Sequence, residues 1–71
     1  MDDNEYLDLN ALSIVSDMIH IFVDGGYQCV DRITWLDNLV VFGYLERRSL
    51  PICHEIYTAT QKLIDHVYKN N

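Results

Sequence analysis

The chain has 71 residues, 49% of them apolar, and a formal net charge of −6. That length allows one domain, and that apolar fraction excludes a disordered chain. Asp17, His20 and Asp24 interrupt the longest apolar stretch, so no segment reaches the roughly 18 to 20 apolar residues of a membrane span. The acidic start Met1-Asp2-Asp3-Asn4-Glu5 is unlike a signal peptide, so a cytoplasmic protein is expected.

Gly25-Gly26 and Pro51 divide the chain into three segments of about twenty residues. In the first, Ser13, Asp17, His20 and Asp24 recur at helical spacing, with Leu7, Ala11, Ile14, Val15, Met18, Ile19 and Phe22 on the facing stripe. The pattern predicts a helix over residues 5–24, with Asp2 and Glu5 at capping-box spacing and Gly25-Gly26 closing it. Residues 19–30 also read as a short hairpin, because β-branched and aromatic residues flank Asp24-Gly25-Gly26.

A second helix is expected over 31–48, from Asp31 as N-cap to Arg47-Arg48, which complement the dipole at its end. Its apolar residues surround most of its girth and leave only Thr34, Asp37 and Asn38 as a polar patch. A third is expected over 51–69, with Ser49 as cap and Pro51 in the first turn. Ile52, Cys53, Ile56, Tyr57, Ala59, Leu63, Ile64, Val67 and Tyr68 would face inward. The fold expectation is an all-α three-helix bundle with helices at 5–24, 31–48 and 51–69. The alternative is α+β, with a hairpin at 19–30.

Charge is uneven along the chain. Asp2, Asp3, Glu5, Asp8, Asp17, Asp24 and Asp31 occur before any Lys or Arg, while the later part holds Arg32, Arg47, Arg48, Lys62 and Lys69. Such a surface repels phosphates, so neither direct nucleic-acid binding nor an anionic membrane surface is expected. A protein with a basic surface is the expected partner.

Chemistry-bearing groups are sparse. Cys29 stands alone, and Cys53 and His54 are adjacent, which does not give the paired ligands of a zinc site. Cys53 near a helix start could have a lowered pKa, yet its helical position is apolar, and two reduced cysteines are the simpler reading. His20, His54 and His66 fall on polar faces. No catalytic set, cofactor site or metal site is expected.

What exceeds ordinary composition is surplus apolar surface, since a ~60-residue domain buries only about 60% of its unfolded surface. Trp35, Leu39, Val41, Phe42, Tyr44 and Leu45 on several sides of the second helix suggest a partner or homodimer interface. The expected function is a small protein-binding module, such as an inhibitor, an antitoxin or immunity-type protein, a chaperone or an adaptor. The alternative is a nucleic-acid mimic that uses Asp8, Asp17 and Asp24 to block a basic groove. No family motif is recognisable; small size, acidity and helicity are common to many phage-encoded and toxin-neutralising proteins.

Overall fold

A computed structural model describes residues 6–51 and 54–69. The Asp2–Glu5 capping box and Cys53 lie outside the described residues. The elements run α1 (Leu9–Asp17), α2 (Ile19–Val23), β1 (Tyr27–Cys29), α3 (Thr34–Val41), β2 (Leu45–Leu50), β3 (His54–Ala59) and α4 (Gln61–Lys69). The fold is therefore α+β, and the all-α bundle is overturned by a three-stranded antiparallel sheet of order β1-β3-β2.

The predicted first helix is two helices. Asp8, in extended conformation, caps α1 by accepting the Ala11 N–H at 3.0 Å. Ala11, Leu12 and Val15 are buried, and Ile19 and Phe22 continue that stripe into α2. The break falls at Met18 (φ −109°, ψ 25°), whose N–H is shared between the Ile14 and Val15 carbonyls. Two residues earlier, Ser16 Oγ donates to the Leu12 carbonyl at 2.7 Å, a back-bond that bends helices.

Gly25 and Gly26 both adopt left-handed φ values, +89° and +87°, and turn the chain into β1. The α+β alternative fits as a class, and β1 falls inside residues 19–30. Residues 19–23 are helical, however, and the partner of β1 is β3, with Tyr27 opposite Tyr57 and Cys29 opposite Glu55.

The predicted helix over 31–48 holds only at Thr34–Val41. Gly43 (φ +84°) ends it in the left-handed conformation, and the Tyr44 N–H reaches back to the Leu39 carbonyl. The chain then runs as β2, with Leu45 opposite Ala59 and Leu50 opposite His54. An apolar band that looked like one over-apolar helix is a helix plus a strand, and each buries its own face.

The predicted helix over 51–69 is likewise split. His54–Ala59 is the central strand, and Ile56 and Tyr57 are both buried because neighbouring positions point to opposite faces. Thr60 then starts α4: its Oγ1 accepts the Leu63 N–H at 3.4 Å and donates to the Gly43 carbonyl at 2.6 Å. The core is Ala11, Leu12, Val15, Ile19, Phe22, Leu36, Leu39, Leu45, Tyr57 and Leu63, placing the helices on one face of the sheet. Among the described residues no helix is long and apolar enough to cross a membrane.

Candidate functional site

Asn38 fixes the position of α1 against α3. Its Oδ1 accepts the Asp8 N–H at 2.8 Å, and its Nδ2 donates to the Tyr6 carbonyl at 2.7 Å. Asp8 thus joins α3 through its backbone while capping α1 with its side chain. Asp37, the preceding residue, ties α3 to the sheet. Its Oδ1 accepts the Tyr57 hydroxyl at 2.7 Å and lies 3.5 Å from Arg47 Nε; its Oδ2 accepts Arg32 Nε at 2.9 Å. The Tyr57 hydroxyl in turn accepts the Ile33 N–H at 3.0 Å. Burial, reinforced by Asp37, pushes the Tyr57 pKa up to about 12.

These ties leave a groove between α1/α2 and the β1–α3 segment. It contains two adjoining hollows. One, of about 190 Å³, is lined by Ile14, Val15, Met18, Phe22, Tyr27, Trp35 and Leu36. The other, of about 200 Å³, is lined by Asp8, Asn10, Ala11, Ile14 and Trp35. Ile14 and Trp35 belong to both and stand 47% and 41% exposed. The Phe22 and Tyr27 rings meet at one end, 5.9 Å between centroids. Each hollow is below the ~300 Å³ of a typical small-molecule site and suits a side chain.

A third, polar hollow of about 400 Å³ is lined by Arg32, Thr34, Asp37, Asn38 and Val41. It is larger, but the Asp37 carboxylate and the Asn38 amide are both engaged in the internal bonds above. It presents no set of free convergent polar groups, so the apolar groove is the better candidate.

Compared with family models, curated proteins and solved structures, the chain matches none.

The six interface residues read from the sequence do not share a surface. Leu39 and Leu45 are in the core, 0% and 2% exposed. Phe42 and Tyr44 are half-buried. Lys62 Nζ lies 4.5 Å from the Tyr44 ring centroid and donates to the Phe42 carbonyl, and His66 meets the Tyr44 ring edge-on. Val41 is exposed on the polar hollow, and Trp35 alone of the six reaches the apolar groove. Ile14, Met18 and Phe22 were not singled out from sequence, because the facing stripe of the first segment reads as core until the position of α3 is known, and Tyr27 was not singled out either.

Of the three acids, Asp8 is committed to its cap and lines one hollow. Asp17 and Asp24 are exposed and form no ion pair among the described residues. The two Arg read as a pair also separate. Arg47 is held by Glu55 at 3.0 Å and by Asp37, with Ser49 Oγ also donating to Glu55, whereas Arg48 is exposed.

Cys29 has a free thiol, 3.8 Å from the Glu55 carbonyl oxygen. Burial, then the charges of Glu55, Asp31 and Asp37, push its pKa up, the reverse of what a nucleophile requires. No group of three or more metal-ligating side chains occurs among the described residues.

Proposed function

We propose that this chain is a protein-binding domain whose groove between α1/α2 and α3 receives apolar side chains of a partner. The observation that carries this reading is the pair of hollows walled by Ile14 and Trp35. Half-exposed Trp and Tyr at a concave apolar surface are the usual anchors of binding energy, and Met18 gives the wall room to adapt. An inhibitor, antitoxin or immunity-type protein, chaperone or adaptor would all act in this way, and a cytoplasmic setting suits the free Cys29 thiol. The nucleic-acid-mimic reading is less well supported, because Asp8 is engaged in capping its own helix.

The test begins with affinity capture from the native host and identification of the retained protein. The purified partner is then titrated against wild-type and Trp35→Ala chains of matched circular dichroism. A loss of at least about tenfold in affinity is expected. Undiminished binding by Trp35→Ala would refute the groove as the site.

A further inference from the structure

Resting on that reading, we propose that the occupant of the groove is a cationic amphipathic helix of another protein. It would carry two apolar anchors one turn apart and Lys or Arg on its flanks.

The anchor spacing follows from the hollows. They share Ile14 and Trp35 as walls, so the two inserted side chains must be close neighbours. Side chains at i and i+3 or i+4 of a helix are about 5–6 Å apart at Cβ, which supplies such a pair from one rigid element. An extended segment is the poorer fit. Among the described residues the strand that lines the groove is β1, whose three residues offer few backbone groups for strand addition.

The charge follows from acids that have no ion-pairing cation among the described residues. Residues 6–31 contain Asp8, Asp17, Asp24 and Asp31 and no Lys or Arg. Asp17 ends α1 and Asp24 caps the C-terminal end of α2, where a carboxylate opposes the helix dipole. Neither has an ion-pairing cation among the described residues. Asp8 lines one hollow, and Asp17 and Asp24 are exposed on or at the end of the helices that supply Ile14 and Phe22 to the groove. A cationic flank on the occupant would satisfy them. A second copy docked groove to groove would instead bring these carboxylates together, and each copy carries −6.

The probe is a Trp-free helical peptide of Leu and Lys, with Leu at i, i+3, i+4 and i+7. Trp35 is the only Trp of the chain, so its emission reports the groove directly. Saturable binding with a blue shift of Trp35 is expected at 50 mM salt. Calorimetry should show at least about tenfold weaker binding for Ile14→Ser and for Trp35→Ala. The double variant Asp17→Asn/Asp24→Asn should bind about tenfold more weakly at 50 mM salt and nearly as wild type at 500 mM.

Equal binding of a peptide with Glu in place of Lys would overturn the cationic occupant and leave the apolar groove standing. Lys-peptide binding insensitive to Ile14→Ser and Trp35→Ala would overturn the groove itself. A concentration-dependent blue shift of the protein alone, with a dimer in sedimentation, would assign the groove to a second copy and overturn the inference. Failure of the Lys peptide to bind would also overturn it.

Discussion

Replacing Tyr57 by Phe removes one oxygen from the centre of the fold and leaves the buried ring in place. That oxygen accepts the Ile33 N–H at the start of α3 and donates to Asp37, so its loss cuts two ties between α3 and the central strand. A hydrogen bond to a charged group contributes about 1.5–3 kcal/mol, and an orphaned N–H costs about 1–3 kcal/mol, toward the lower end here because the site is only partly buried. The expected loss is about 2–4 kcal/mol at pH 7, a large share of the total for a domain of this length. Urea unfolding measures it, with an unchanged slope showing that the denatured state is the same. The pH dependence gives an independent reading. Tyr57 titrates near 12 when folded, against an ordinary value of 10, so the folded state favours the protonated phenol. Its contribution is complete below pH 10 and is lost as pH rises from 10 through 12, a decline on the order of 2–3 kcal/mol. The wild-type advantage over Tyr57→Phe should therefore shrink across that window, while other titrating groups cancel in the comparison. A difference below about 1 kcal/mol at pH 7, or one constant from pH 9 to 11.5, would refute the role given to this hydroxyl.

The two glycines of the turn should behave differently. Both have positive φ, so Gly25→Ala, with open space around its Cβ, should cost about 1–2 kcal/mol. A Cβ on Gly26 would lie 2.7 Å from Thr58 Cγ2 and 2.9 Å from the Tyr57 carbonyl oxygen, so Gly26→Ala should cost about 2–5 kcal/mol. Equal thermal shifts for the two would contradict the packing of this turn on β3. Leu39→Ala should destabilise by about 2–5 kcal/mol and Val41→Ala by under about 0.5 kcal/mol, because Leu39 is fully enclosed and Val41 is half exposed. Comparable denaturation midpoints for this pair would restore the idea that α3 is apolar on all sides for a partner. In a Cys53→Ser background, iodoacetamide at pH 8 should modify Cys29 more slowly than a model thiol, with the gap closing in denaturant. Equal rates in the folded protein would remove the burial argument for this thiol.

Several features of the fold were legible from local pattern. The stripe Ser13, Asp17, His20 and Asp24 is exposed, and Ala11, Val15, Ile19 and Phe22 opposite it are buried. Gly43 was also legible in principle. Gly43 signals a left-handed stop ahead of Tyr44-Leu45-Glu46-Arg47-Arg48, and its weight was lost among the apolar residues around it. Ile56 and Tyr57 misled for a different reason. Adjacent buried residues suit a helix face, but they also suit a central strand paired on both edges, and length alone does not separate the two. The groove was half legible. Trp35 stood out by its chemistry, whereas Ile14 and Met18 looked like ordinary core until α3 stopped short of covering them.

By itself, then, the sequence determined what depends on near neighbours. It set the acidic character of the first half, the helical stripe that α1 and α2 share, the left-handed glycine turn and, of the helix expected over 51–69, only the part at Gln61–Lys69. The tertiary structure decided what depends on distant pairing. Tyr27 meets Tyr57 and Leu45 meets Ala59 only because β3 enters between two strands remote from each other in the chain. A hydrophobic period records which side of an element is buried and says nothing about its partner. Sheet formation and the opening between α1 and α3 are both choices of partner, made when the whole chain packs.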